Sequence, residues 1–422
     1  MIRFIFSISL LTVLFSSCGS SVIDGYSDRI SYNVGDTLKL FLNSDSKKMN
    51  YSIDITTING KFIDEISVNC HPQVINDDRA YENGFGYELT TEYIIPSLES
   101  GVYLFDGKIP FVVKPKEKKR ILVVYSSNTE NAYAFSGGKS LYGYNSTNQV
   151  AATTVSFQRP IDVSFHSTEF LKWMEEQEEY DVGYICDQDL DHYESFSAAD
   201  LLIVPGHSEY WTRKARLNFD QFIDSGKNAL ILSGNTMYWQ VRYSEDGNQM
   251  ICYKNLENDP EPNNQLKTFI WTDSVLQYPV LNSIGLDFEH GGFGLRDDKG
   301  WDGYKITNSN HALFKGLNLK NGDVLSIPSD EYDGAILKFS KDSTSVELID
   351  EVGFFNYELL GYDLGSRSSI TNGAWVIMQK SETSGMIINT GTTDWCSPQG
   401  IGGDDADLIQ VITKRMIDRL LK

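Results

Sequence analysis

The sequence predicts an α/β doubly wound domain preceded by an all-β, immunoglobulin-like sandwich, and three observations carry that prediction. Between about Ser27 and Val113, apolar and polar residues alternate with the period of two that half-buried strands require. The run Lys114-Pro115-Lys116-Glu117-Lys118-Lys119 then interrupts the pattern with charge and a proline. From Arg120 onward, continuous apolar runs alternate with stretches of helical periodicity, as in a parallel sheet covered on both faces. The domains predicted are therefore a sandwich over 27–113, a linker over 114–119 and an α/β domain over 120–422. At 422 residues the chain has ample length for two or three cores.

In the sandwich, Leu38, Leu40 and Leu42 point to one face, and Asn59-Gly60 sits as a hairpin turn between Tyr51–Ile58 and Lys61–Ile66. Tyr93-Ile94-Ile95 and Val102-Tyr103-Leu104 continue the series. Short strands broken by Gly, Pro and Asn over this span suit two packed antiparallel sheets.

The α/β domain opens on Ile121-Leu122-Val123-Val124, with further strands predicted at Val182–Ile185, Leu201–Val204, Ala229–Leu232 and Gly385–Ile388. A helix is expected over Ser167–Glu178, where Phe170, Leu171, Trp173 and Met174 form one stripe. Another starts at Thr212, a suitable N-cap, buries Ala215, Phe219, Phe222 and Ile223, and stops where Gly226 supplies a C′ glycine. The last helix has an acidic start (Asp404, Asp405, Asp407) and a stripe of Leu408, Ile412, Met416 and Leu420. Residues 240–380 are rich in Gly, Asn and Asp, and their periodicity sets no order of elements.

Thirty-six basic against fifty-eight acidic residues give a net charge of −22, which repels phosphate backbones and argues against a nucleic-acid partner. Arg3 followed by the apolar run Phe4–Phe15 reads as a signal peptide, too short for an ordinary membrane span. Leu14-Phe15-Ser16-Ser17-Cys18-Gly19 resembles a bacterial lipobox, so residues 1–18 are expected to direct export and Cys18 to carry a lipid that anchors the protein to the cell envelope. An ordinary secretory signal that happens to hold a cysteine is the alternative. Cys70, Cys186, Cys252 and Cys396 have neither zinc-site nor disulfide-framework spacing.

Ligands of open α/β sheets bind beyond the carboxyl ends of the strands, which here lead into four unusual loops. They are Asn131–Gly143, Gly206-His207-Ser208-Glu209-Tyr210-Trp211, Gly234-Asn235-Thr236-Met237-Tyr238-Trp239 and Gly391-Thr392-Thr393-Asp394-Trp395. Trp211, Trp239 and Trp395 suit a hydrophobic cap over the sheet end. His207-x-Glu209 brings a base and a carboxylate to one mouth, which fits metal ligation, acid–base work or a plain surface loop. Ser208 approximates a nucleophile elbow, but Tyr210 stands where that motif needs its second glycine.

These loops, together with Ala132-Tyr133, Gly137-Gly138-Lys139-Ser140-Leu141-Tyr142, Ser156-Phe157-Gln158-Arg159-Pro160 and Asp187-Gln188-Asp189-Leu190, carry a resemblance. In order and spacing they look like the C-terminal domain of the N,N-dimethylformamidase large (beta) subunit, over roughly Arg120 to Lys422. The resemblance implies a class I glutamine amidotransferase-like fold without the cysteine nucleophile. It also implies a mononuclear ferric iron held by two tyrosines and one glutamate, hydrolysing a small amide. By motif position the metal ligands would be Tyr133, Tyr142 and Glu209, with Tyr144 an alternative second tyrosine. His207 and Asn235 would orient water or substrate, and Glu331 would be a further acidic group. A hard trivalent cation favours such anionic oxygen donors. Two other readings stay open: a non-catalytic envelope lipoprotein that binds a glycan or peptide, and a metal-free serine hydrolase using Ser208.

Overall fold

In a computed structural model, the structure describes residues 23–44, 50–161, 163, 165–294, 303–340, 345–364 and 371–422. The expected signal segment and Cys18 lie outside them. Among the described residues no helix is long and apolar enough to cross a membrane.

The alternation read in the first hundred residues produces two facing sheets. One has three strands, in the order Ile23–Ser27, Thr37–Ser44, Thr91–Ile94. The other has five, in the order Ser31–Tyr32, Ile109–Val113, Gly101–Phe105, Asn50–Thr57, Phe62–Asn69. Leu38, Leu40 and Leu42 of the first meet Tyr51, Ile53, Ile55, Phe105 and Phe111 of the second in one apolar core, because period-two side chains project to a single face. Lys114 crosses to Asp189 at 3.0 Å, and the Ser100 hydroxyl accepts from the Tyr184 amide at 2.8 Å, so the sandwich is docked against the following domain.

That domain is built on a nine-stranded sheet in the order Val182–Cys186, Ile121–Tyr125, Leu201–His207, Asn228–Gly234, Met386–Asn389, Asn372–Gln379, Asn356–Leu364, Tyr304–Ile306, Val324–Leu325. The first five run parallel to their neighbours and the rest pair antiparallel. The doubly wound class, and the class I amidotransferase-like domain expected with it, are thereby corrected. Of the described residues 34% are strand and 20% helix, distributed over several sheets. The physical reason lies in residues 281–379. Where a doubly wound domain needs crossover helices, this segment supplies strands that pair antiparallel with their neighbours, and antiparallel neighbours need only a short turn between them.

The buried parallel strands are the runs predicted from apolar content, and helices cover them. The helix Arg213–Asp224 is capped by Thr212, whose hydroxyl accepts from the Ala215 amide at 3.0 Å and donates to Asp191. Gly226 follows at φ +87°, a conformation that costs a residue with a Cβ. The helix Phe165–Glu175 starts and stops earlier than expected. In the last helix, Ala406–Leu420, Ile409, Thr413 and Ile417 join Ile412, Met416 and Leu420 in the core, while Leu408 is only partly covered. Cys70, Cys186, Cys252 and Cys396 are buried free thiols.

Replacing the helix cap tests this local reading. Thr212→Ala should lower stability by about 1 kcal/mol in urea unfolding, since the Ala215 amide loses its acceptor. Thr212→Ser should restore most of the loss. Equal stability of all three proteins would contradict the cap.

Candidate metal centre

The parallel strands end together, and their following residues converge. His207 is the last residue of the strand Leu201–His207, Asn235 follows the strand Asn228–Gly234, and Tyr133 closes the helix Ser127–Tyr133 that follows Ile121–Tyr125. Glu209 is pinned by its own backbone: its amide donates to the Thr129 hydroxyl at 2.9 Å and its carbonyl accepts from the Trp239 amide at 3.0 Å. Tyr142 returns after a loop whose ends are tied by Asn145, which donates to the Tyr133 carbonyl at 3.0 Å. Arg159, fully buried, holds that loop from beneath through the carbonyls of Asn131, Ser136 and Lys139 at 2.7 to 2.8 Å.

Three of the predicted residues close a ring of four oxygens. The Tyr142 hydroxyl donates to Glu209 Oε1 at 2.6 Å, and the Tyr133 hydroxyl lies 2.9 Å from Oε2 and 3.0 Å from the Tyr142 oxygen. The two rings lie with centroids 4.5 Å apart. Burial, then the Glu209 charge, raises both phenol pKa values well above the ordinary value. Burial also raises that of Glu209. Tyr144, in contrast, is 65% exposed, and its ring only approaches that of Tyr142, so it is Tyr142 that reaches Glu209.

A second group stands beside this oxygen ring. His207 Nε2 lies 3.6 Å from Glu209 Oε2 and 3.5 Å from Glu331 Oε2, and Asn235 donates to Glu331 Oε2 at 2.6 Å. Glu331 comes from the short strand Glu331–Gly334, so residues distant in sequence are brought to one point. Burial pulls the His207 pKa down, but Glu331 and Glu209 outweigh it and push the value up to about 9. The site thus favours an imidazolium between the two acidic side chains. His166 stacks edge-on to His207 with centroids 5.6 Å apart, and its pKa is driven down to about 4 by burial and by the His207 charge.

Lys254 was not among the residues expected from the sequence. Its ammonium sits 3.5 Å from the centroid of the Tyr142 ring and 4.7 Å from that of Trp239, and it donates to the Tyr210 hydroxyl at 2.7 Å. A lone lysine in an irregular stretch gives no motif, so no sequence signal could have found it. Ser208 is turned elsewhere, its hydroxyl accepting from the Trp211 indole at 3.0 Å, and no hydrogen bond joins it to a histidine among the described residues. That arrangement does not favour a serine nucleophile.

The donor set suits a small hard ion. Adjacent oxygen ligands around an ion with bonds of ~2.0–2.1 Å stand ~2.8–3.0 Å apart, and the Tyr133 oxygen stands 3.0 Å from that of Tyr142 and 2.9 Å from Glu209 Oε2. Two phenolates and a carboxylate would sum to the charge that a trivalent ion neutralises. Among the described residues no group of three or more His, Cys, Asp or Glu side chains is placed to hold a metal, so the fit rests on the phenols.

Fold and site together define a mixed-sheet protein with a buried oxygen-donor centre at the carboxyl edge of its parallel strands. The family described as N,N-dimethylformamidase beta subunit-like, C-terminal, matches residues 67–400, and the chain belongs to it, a family of dimethylformamidase-like hydrolases. The match begins inside the sandwich. A solved structure of a ThuA-like protein from Bacteroides uniformis aligns with 71% of this chain and 91% of its own at 12% identity and a TM-score of 0.34, too loose to carry an argument. No curated protein matches the chain.

The charge on His207 has a measurable consequence. Its folded-state pKa of about 9 lies above the unfolded value of ~6.5, so its contribution is complete below pH ~6.5 and is lost as pH rises through about 9. Urea unfolding of metal-free wild type and His207→Gln should show their stability difference moving against the wild type by up to about 3 kcal/mol across that window. Asp187 and Asp333, whose pKa values burial raises to about 8, titrate in both proteins and cancel in the difference. A pH-independent difference would contradict the imidazolium.

Proposed function

We propose that this protein is a metal-dependent amidohydrolase that cleaves the C–N bond of a small amide, with ferric iron held by Tyr133, Tyr142 and Glu209. The observation that carries the reading is the convergence of both phenol oxygens on the Glu209 carboxylate, with contacts of 2.6, 2.9 and 3.0 Å. Membership of the dimethylformamidase-like family supports the reaction class. When bound, a hard trivalent ion would polarise the amide carbonyl and lower the pKa of water at neutral pH without redox change.

The chain's own groups supply the rest. Glu331, steadied by the 2.6 Å hydrogen bond from Asn235, accepts the proton that the attacking water loses. His207, held as an imidazolium between Glu331 and Glu209, delivers a proton to the departing amine nitrogen. Water and amide thereby yield an acid and an amine. Lys254 adds positive charge at the face of Tyr142, which favours the phenolate over the phenol. We place the enzyme in a bacterial cell envelope, exported and anchored through a lipid on Cys18, as the first residues suggest.

Elemental analysis of purified protein tests this most simply. Wild type should hold close to one iron per chain and show a visible phenolate-to-iron absorption, and Ser208→Ala should keep both. Glu209→Gln should lose ~100-fold or more in iron affinity, because one of three anionic donors is gone. Iron-free protein with full amidase activity, or loss of activity in Ser208→Ala with iron retained, would overturn the reading.

A further inference from the structure

We propose that the β-sandwich is a working part of the centre: its short helix Ala80–Asn83 is seated on the loop between Tyr133 and Tyr142 and fixes where the Tyr142 phenol stands. The contact is backbone on backbone. Gly137, in the middle of that loop, adopts φ +80°, and a Cβ there would lie 2.5 Å from the Tyr81 amide nitrogen, 2.9 Å from Tyr81 Cα and 3.1 Å from the Ala80 carbonyl carbon. Main-chain atoms cannot swing aside, so only glycine lets the two segments touch. Two residues on, the Lys139 ammonium stands 5.3 Å from the centroid of the Tyr81 ring.

The seam continues on both sides. A Cβ on Gly84 would lie 2.9 Å from Gln158 Cβ, the Phe85 amide donates to the Gln158 carbonyl at 2.9 Å, and Gln249 donates to the Glu82 carbonyl at 2.8 Å. Gln158 precedes Arg159, whose guanidinium grips the same loop through the Ser136 and Lys139 carbonyls, both at 2.8 Å. The loop is therefore clamped between a sandwich helix on one side and a buried arginine on the other. Its far end is positioned in turn, since the Ser140 hydroxyl accepts from the Tyr142 amide at 3.0 Å and the Ser146 hydroxyl donates to the Tyr142 carbonyl at 2.6 Å. Donors of a metal or catalytic site tolerate displacements of only ~0.5 Å. A sandwich that lifted off would thus release Tyr142 from Glu209 while leaving Tyr133, on its helix, in place.

The functional half of this proposal rests on the tyrosines being ligands, whereas the clamp does not. A matched pair of full-length variants separates backbone strain from the contact. Gly60 has the same φ of +80° in a sandwich hairpin, with nothing within 4 Å of where its Cβ would stand. Gly60→Ala should lower the melting temperature yet leave hydrogen exchange over residues 138–146 and ferric-ion affinity at wild-type values. Gly137→Ala should raise exchange over 138–146 and over 80–85 by ~10-fold or more in metal-free protein. It should also weaken ferric-ion binding by ~10-fold or more and diminish the phenolate-to-iron band. Gly84→Ala, whose Cβ would meet Gln158 Cβ at 2.9 Å and the Gln158 carbonyl oxygen at 3.1 Å, should shift the same readouts in the same direction, and it keeps the test open if Gly137→Ala does not fold. Wild-type exchange over both segments in Gly137→Ala, or in Gly84→Ala should the former not fold, overturns the clamp. Raised exchange with unchanged ferric affinity overturns its role in the centre. Failure of wild type to take up ferric ion sinks the metal reading, and the exchange arm still decides the clamp.

Discussion

One carboxylate shared by two buried phenols is the interaction on which the rest of the site depends. Each oxygen of Glu209 is committed to a different tyrosine, which fixes the distance between them and the tilt of their rings. Removing the carboxylate would take the acceptor of the Tyr142 hydroxyl and one of the two acceptors of the Tyr133 hydroxyl, a cost of ~1–3 kcal/mol for each group left unsatisfied. Glu209 in turn has little freedom, because its amide and carbonyl are bonded to Thr129 and Trp239. The helix that carries Tyr133 and the strand Trp239–Tyr243 are thereby registered against the same residue.

Charge explains why such a cluster is tolerated in the interior. Glu209 and Glu331 are faced by His207 and Lys254, whose positive charge opposes the upward push of burial on the Glu209 carboxyl. A buried ion pair of this kind contributes little to stability for its desolvation and is better read as a device held for function. Bringing in a trivalent ion would displace the two phenol protons and add one net positive charge to the cluster. Glu331 arrives on a short strand outside the nine-stranded sheet, paired with Asp287–Phe293 and bonded to the loop after the last parallel strand, where the Thr393 amide donates to the Glu331 carbonyl at 3.0 Å.

Much of this architecture was legible in the residues themselves. Leu201–Val204 and Ala229–Leu232 could be placed because a strand buried on both faces must be continuously apolar, and Thr212 and Gly226 because capping follows from local stereochemistry. The antiparallel half was not legible. Asn356–Leu364 is largely half-buried and interrupted by Gly361, so its period is blurred, and its partner Asn372–Gln379 is chosen by packing, which local sequence does not encode. The site divides in the same way. Loops at strand ends could be marked as its place, and His207-x-Glu209 as its chemistry. The choice of Tyr133 and Tyr142 came from family resemblance, since tyrosine spacing has no rule. Lys254 was missed altogether, for its role comes from a long stem laid over aromatic faces.

Resonance Raman spectroscopy of the iron-loaded protein, excited in its visible absorption, interrogates the pairing of both phenols with one ion most directly. Tyrosinate ring modes should be enhanced in wild type, and Tyr133→Phe and Tyr142→Phe should each remove a distinct part of them while the other part persists. A spectrum without tyrosinate modes, or one unaltered in either variant, would contradict a centre built from these two tyrosines.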